Sequence, residues 1–216
     1  CSGFVYSLAV ASQMVKSGLY NKILIIGAET LSRIMNWTDR NTCVLFGDGA
    51  GAAVVGEVEE GYGVLGIDMG ADGNGGKFRL HPAGGSRNPA SEETVAAKDH
   101  TIHMNGQEVF KFAIQIMGKT AKRALAKANM KPEELDMLFP HQANYRIITS
   151  AAKRLKMPMD KVWVNVDKYA NTSAASIPIA LCEAQKAGAL KKGDNIILDG
   201  FGAGLTWAAI VLKWSK

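Results

Sequence analysis

The chain has 216 residues, 47% of them hydrophobic and 21% charged, with a net charge of +5. That is apolar material for the core of one globular domain or two small ones; no apolar run reaches the ~20 residues of a membrane span, and the first residues lack the basic start and long apolar stretch of a signal peptide, so a cytoplasmic protein is expected. The basic residues are scattered among acidic ones with no nucleic-acid-binding signature, and Cys1, Cys43 and Cys182 form no Cys-x-x-Cys pair, which argues against nucleic acid, a disulfide framework and a zinc site.

An amphipathic helix is predicted from about Ser2 to Lys16, with Val5, Leu8, Val10, Met14 and Val15 on its inner side and Ser17-Gly18 closing it. "KILIIGAE" follows as a buried strand, and "VLFGDGAGAAVVGEV" as a glycine-rich turn feeding a second apolar strand. "LHPAGGSRNPASEETVAAKD" reads as a polar surface excursion to which no chemistry is assigned. A long helix from about Gln107 to Asn129 turns Val109, Phe110, Ala113, Ile116 and Met117 inward. "LDMLFP", "KVWVNV" and "NIILDG" then read as three strands separated by the helices "NYRIITSAAKRL" and "SIPIALCEAQKAG", which is α/β layering around a mostly parallel sheet.

"KILIIGAET…FGDGAGAAVVGEV" and "NIILDGFGAGLTWAAIVLKW" both run strand, Gly-x-Gly-rich turn, strand, as two copies of one unit would. The first copy lacks the strands and helices that precede the second from about Gln107 onward. Together with a start on Cys1 rather than Met, this leads to the expectation that a segment N-terminal to Cys1 is missing from the chain. The two units are expected at residues 1–95 and 96–216.

In an open α/β sheet, functional groups collect beyond the carboxyl ends of the strands. "PHQAN", "YANTSAAS" and "GFGAG" follow the three late strands and should bring His141, Asn171 and Gly202 to one sheet edge. Cys1 opens a helix, where the helix dipole and free N–H groups favour a thiolate. A thiol, an imidazole, an amide and a glycine turn offering a backbone donor make up the apparatus of acyl transfer. Each also has a plain structural reading: a small buried Cys, a strand-end His, an Asn helix cap and a turn Gly. Three strand-end loops in series, each with a residue type that acyl chemistry uses, favour the catalytic reading; Cys43 and Cys182 sit in apolar contexts and read as core.

"CSGFVYSL", "FGDGAGAAV", "PHQANYRI", "YANTSAASIP" and "GFGAGLTW", in this order and spread over nearly the whole chain, resemble β-ketoacyl-[acyl-carrier-protein] synthase III, the initiating condensing enzyme of type II fatty acid synthesis. The resemblance implies a thiolase-like, five-layered αβαβα sandwich, of which this chain would supply the end of the first half and the whole second half. It implies Cys1, His141 and Asn171 as catalytic residues and the N–H groups of Cys1 and Gly202 as oxyanion hole. Cys1 would accept a short acyl group from acyl-CoA, and His141 and Asn171 would stabilise the enolate formed as malonyl-acyl carrier protein (malonyl-ACP) loses carbon dioxide. No metal or other cofactor is implied.

Further positions carried over by the resemblance are Arg40, Phe46, Gln107, Phe110, Ala143 and Asn144 along the CoA and pantetheine channel, Gln107 standing where Asn is frequent, and Leu31 at the acyl pocket. Lys111, Arg146, Lys153 and Arg154 are the expected contacts for acyl carrier protein. The last three fall at i, i+7 and i+8 of one helix, a basic face that would steer an acidic partner. A homodimer is also implied. Two rivals remain: an N-terminal-nucleophile cysteine amidohydrolase, which would use Cys1 but leave His141, Asn171 and the GFGAG loop without roles, and another Cys-His-Asn condensing enzyme of the chalcone-synthase type.

Overall fold

The computed structural model describes residues 1–216. In chain order the elements are α1 (Gly3–Lys16), β1 (Lys22–Thr30), β2 (Asp48–Gly56), β3 (Gly63–Ala71), β4 (Arg79–Leu80), α2 (Glu92–Ala96), β5 (His103–Met104), α3 (Gly106–Lys127), β6 (Met137–Pro140), α4 (Tyr145–Leu155), α5 (Val166–Tyr169), α6 (Ser176–Lys186), β7 (Asn195–Gly202) and β8 (Thr206–Lys213). They stack in four layers. Helices α3 and α4 cover one face of a four-stranded sheet ordered β3-β8-β7-β6, α1 and α6 cover its other face, and the β1-β2 pair lies on the far side of α1 and α6.

The shared helical layer is the main core. Phe4, Val5 and Ala9 of α1 and Ile177, Ala180 and Ala184 of α6 pack between Ile25 of β1 and Phe139, Leu198 and Ile210 of the larger sheet. A second core joins Ala121, Ala124 and Leu125 of α3 and Ile148, Ala152 and Leu155 of α4 to Leu138, Ile197 and Val211. Burial of this many apolar side chains, at about 1.5–3 kcal/mol each, is what holds the layers together. Small residues set how close they come. A Cβ on Gly27 would lie 2.5 Å from the Ala174 carbonyl oxygen, and one on Gly51 would lie 2.8 Å from Pro178 Cβ.

The expected elements are present, with four corrections. The inner side of α1 is Phe4, Val5, Ala9, Ala11 and Val15, while Val10 and Met14 are exposed; a helix pressed between two sheets buries alanines that allow close approach. The strand "KILIIGAE" is buried on one side only, for Leu24 and Ile26 are each 59% exposed. "DGAG" is not a turn but the start of β2, paired antiparallel with β1 from Thr30↔Asp48 to Lys22↔Gly56. Finally, "KVWVNV" is no full strand, making only a Leu138↔Val162 bridge. The Gln142 side chain replaces the following rungs: its Nε2 donates to the Trp163 carbonyl at 3.0 Å and its Oε1 accepts from Asn165 N–H at 2.9 Å.

The larger sheet is mixed in its pairing. β6 pairs parallel with β7, whereas β8 runs antiparallel to both β7 and β3. Two of its three pairings are therefore antiparallel, which corrects the mostly parallel sheet expected, although β3, β7 and β6 share one direction with β8 inserted against them. β3, which lies before the expected unit boundary at 95/96, is hydrogen-bonded to β8 of the second sheet. The chain thus changes sheet between Gly56 and Gly63. The internal echo is structural as well: β1-β2 and β7-β8 are both antiparallel pairs flanking the shared helical layer.

Candidate active site

Cys1, His141, Asn171 and Gly202, far apart in the chain, line one cavity of about 140 Å³. Each is brought there by the end of an element. Cys1 precedes Ser2 and the first turn of α1, where the Ser2 carbonyl accepts from Tyr6 N–H at 3.0 Å and the Ser2 hydroxyl is hydrogen-bonded to Thr206 Oγ1 at 2.8 Å. Gly202 ends β7 directly against it: a Cβ there would lie 2.7 Å from Cys1 N. Only glycine permits that approach.

His141 follows β6, its N–H donating to the Asp199 carbonyl at 2.8 Å. Its ring is 1% exposed and stands edge-on to Phe201 at 5.5 Å between centroids. Nδ1 lies 2.7 Å from Ser176 Oγ, which also accepts from Gln142 N–H at 3.3 Å. With that acceptor role filled, the Ser176 hydroxyl hydrogen can go to Nδ1, and this assignment puts the imidazole hydrogen on Nε2. Burial, followed by the charge of the Cys1 α-amino group and then that of Arg79, holds the His141 pKa well below its ordinary range, so the ring is neutral.

Asn171 is fixed through its backbone, its N–H donating to the Leu45 carbonyl and its carbonyl accepting from Gly47 N–H, both at 3.0 Å. Its Oδ1 accepts from Ser173 N–H at 2.9 Å, which leaves the amide NH₂ as the free donor. The neighbouring Ala170 and Ser173 hold positive φ, 55° and 50°, conformations that cost about 1–3 kcal/mol each and persist at sites that surrounding structure over-determines.

The carried-over binding positions divide. Phe46, Phe110, Ala143 and Asn144 line the cavity, and Asn144 also caps α4 by accepting from Arg146 N–H at 2.8 Å. Gln107 lies instead on an adjoining cleft of about 810 Å³, which shares Asn41, Met104 and Gly106 with the inner cavity. Arg40 is exposed and lines neither; its neighbour Asn41 lines both. Leu31 is buried with Met35, Phe46 and Ile102, behind the cavity wall rather than on it. Lys111 and Arg146 are exposed near the ends of α3 and α4 that reach the cavity, Lys111 paired with Glu108 at 2.6 Å. Lys153 and Arg154 are exposed at the far end of α4, roughly 10 Å along its axis from Arg146. Of the other thiols, Cys43 packs on the Leu31 cluster and Cys182 is exposed, a correction to its core assignment.

Two residues at the site escaped sequence reasoning. Ser176, which holds His141, sits in "TSAAS" with nothing to mark it. Arg79 lies just before the stretch read as a surface excursion, yet its Nη1 is 3.5 Å from Cys1 Sγ.

Two like strand pairs around a shared helical layer, with Cys, His and Asn at one edge, are the arrangement of the thiolase-like fold. Comparison with known proteins takes this further. Residues 1–73 match the family model described as 3-oxoacyl-[acyl-carrier-protein (ACP)] synthase III, and residues 125–214 match its C-terminal counterpart. Over 216 residues the chain is 63% identical to the β-ketoacyl-[acyl-carrier-protein] synthase III of Caldanaerobacter subterraneus subsp. tengcongensis, covering 100% of this chain and 65% of that protein. The Clostridioides difficile protein of the same name is 58% identical over 215 residues, with 100% and 65% covered. Among solved structures, that of the Thermus thermophilus enzyme superposes with a TM-score of 0.90 at 49% identity, covering 100% of this chain and 66% of that one. For the Aquifex aeolicus enzyme the values are 0.89 and 45%, over 99% and 65%. The chain belongs to the β-ketoacyl-[acyl-carrier-protein] synthase III family, and it spans about 65% of the length of these curated relatives. No helix is long and apolar enough to cross a membrane.

Proposed function

We propose that this chain carries the catalytic centre of a decarboxylative Claisen condensation, in which a short acyl-CoA primer and malonyl-ACP give β-ketoacyl-ACP. The observation that carries this is the meeting of Cys1, His141, Asn171 and Gly202 in one cavity. Cys1 takes the acyl group as a thioester, its carbonyl oxygen facing the N–H groups of Cys1 and Gly202. Neutral His141 and the free Asn171 amide then donate to the thioester oxygen of malonyl-ACP. As carbon dioxide leaves, the electron pair of the broken C–C bond enters the enolate they stabilise. The enolate carbon attacks acyl-Cys1, and the C–S bond to Cys1 breaks. No metal or redox group is called upon in these steps.

In this reading Phe46, Phe110, Ala143 and Asn144 meet the pantetheine arm, Gln107 and the adjoining cleft meet the rest of CoA, and Leu31 shapes the acyl pocket from behind Phe46. Acyl carrier protein docks on Lys111 and Arg146 at the mouth, with Lys153 and Arg154 extending the basic face. A homodimer belongs to the same reading. The amidohydrolase alternative is not favoured, since it leaves the buried His141–Ser176 pair and the Asn171 amide without work.

Incubation with a short acyl-CoA, followed by intact-mass measurement and peptide mapping, tests the core of this assignment. One acyl group on Cys1 is expected. Label on Cys43 or Cys182 with Cys1 unmodified would overturn it.

A further inference from the structure

The nucleophile has a charged neighbour that the reaction just described does not use. Arg79 of β4 reaches across from the segment after the second sheet's first strand, and its only side-chain hydrogen bond is to Cys1 Sγ, Nη1 to Sγ at 3.5 Å. It forms no ion pair. Its guanidinium lies over the Phe46 ring, 4.7 Å from the centroid, on the wall of the same cavity. A largely buried cation without a bonded carboxylate is expensive unless an anion shares its space, because desolvation costs several kcal/mol per ion. Burial indeed pulls the Arg79 pKa down, while Glu29 of β1 opposes the shift from a distance.

We propose that Arg79 is a catalytic residue of this chain, the cation that holds Cys1 as the nucleophilic thiolate before acylation; this rests on Cys1 being the nucleophile of the proposed reaction. The charges facing the thiol leave no better candidate: the Cys1 α-amino group, its pKa lowered to about 6 by burial and then by Arg79, is neutral where a cysteine titrates. His141 is buried, neutral and engaged at Nδ1 by Ser176. Glu29 carries the opposite sign. His81, beyond β4, is held below its ordinary pKa by burial, then by the Arg79 charge and by His103 and His100, so it too is neutral where a cysteine titrates. The start of α1 contributes partial charge only.

The step balances without an oxidant or reductant. The Cys1 S–H proton passes to solvent, and the thiolate pair forms the S–C bond to the acyl-CoA carbonyl carbon. The C–S bond to CoA then breaks, and CoA leaves as a thiolate that takes a proton from solvent. Product acyl-Cys1 is neutral, so Arg79 favours the enzyme form that reacts and gives no added hold on the form that accumulates.

The pH dependence of alkylation by iodoacetamide, read site by site by peptide mapping, tests this independently of any acyl transfer. Arg79→Met should raise the Cys1 midpoint by about one unit or more, the usual effect of losing an adjacent opposite charge, so that alkylation below the midpoint slows about tenfold. Arg79→Lys should keep most of the lowered midpoint. Half-buried Cys43 in the same digest reports folding, since a collapsed variant would speed it, and exposed Cys182 gives the reference rate. An unchanged Cys1 midpoint in Arg79→Met with Cys43 and Cys182 undisturbed overturns the proposal. So does a midpoint in the unaltered protein at the ordinary cysteine value of about 8.5, whatever the variants do. Failure of acyl transfer with the alkylation shift intact would instead count against the proposed condensation and leave standing only that Arg79 holds Cys1 as a thiolate.

Discussion

Replacing Asn171 separates the condensation from every hydrolase built of the same three residue types. In a Cys-His-Asn hydrolase the amide orients the imidazole that activates the thiol, so its loss slows acylation. Here the orienting group is Ser176, 2.7 Å from His141 Nδ1, and Asn171 makes no hydrogen bond to the ring. Its backbone is pinned by Leu45 and Gly47, so truncation should leave the loop in place and remove one donor from the cavity. Loss of one oxyanion donor costs roughly a hundred- to a thousandfold, about 3–4 kcal/mol of barrier. Asn171→Ala should therefore acylate Cys1 at near the normal rate while carbon dioxide release from malonyl-ACP falls at least about a hundredfold. Truncation also strips the partner from Ser173 N–H, about 1–3 kcal/mol of stability if that group stays dry. Asn171→Asp keeps an acceptor for Ser173 and serves as the companion variant, expected to fold well and still fail at decarboxylation. Single-turnover acylation measured by intact mass, beside carbon dioxide release, reads both half-reactions. Normal decarboxylation in Asn171→Ala, or an acylation defect as large as the decarboxylation defect, would refute the division of labour.

Charge reversal at Lys111 or Arg146, the exposed basic residues nearest the mouth, should raise the KM for malonyl-ACP several-fold and flatten its salt dependence, with acylation by acyl-CoA little changed. Gly202→Ala puts a Cβ 2.7 Å from Cys1 N and should displace the nucleophile enough to slow acylation about a hundredfold, seen as a loss of intact-mass labelling rate with Tm lowered modestly. Asp199, whose carboxyl is fully buried and finds no hydrogen-bond partner, has its pKa raised well above the carboxylate range, first by burial and then by Asp68. The folded state therefore keeps a proton that the unfolded chain has lost above about pH 4. Stability should fall with rising pH by about 1.4 kcal/mol per unit until the folded pKa is reached, and Asp199→Asn should remove that slope in denaturant titrations across pH 4–9.

Part of this site was legible in the residues because His141 and Gly202 lie at the ends of β6 and β7, where an α/β sheet collects function. Asn171 was expected beside them from a strand in "KVWVNV" that is not a full strand, with α5 between that run and Asn171, and Cys1 sits at a helix start. The residues that tune them were not legible. Arg79 meets Cys1 across 78 positions, and Ser176 meets His141 across 35, each from a segment whose local pattern says only loop or helix. The strand misread in "KVWVNV" has the same origin, since the side chain of Gln142 takes the hydrogen bonds that a β-rich composition assigns to a neighbouring strand. Val10 and Met14 show the converse: strongly apolar residues left outside because α1 must fit between two sheets and buries Ala9 and Ala11 instead.

The two proposed half-reactions ask for different electrostatics in a cavity of about 140 Å³, and in that reading the placement of one cation meets both demands. Acylation begins from an anion at Cys1 and ends neutral, so a full positive charge at Sγ favours its reactant. Decarboxylation begins with a carboxylate on the substrate and moves that charge to the thioester oxygen. A charged imidazolium there would also attract the departing carboxylate and offer a proton to the carbanion, losing both the driving force and the nucleophile. Neutral donors stabilise the enolate without either cost. Arg79 stands at the thiol, and its charge is also one of the influences, after burial, that keep His141 unprotonated. In the proposed reaction the same guanidinium favours ionisation of the sulfur and disfavours ionisation of the ring, which would set a thiolate and a neutral imidazole in one cavity instead of the thiolate–imidazolium pair of a cysteine hydrolase.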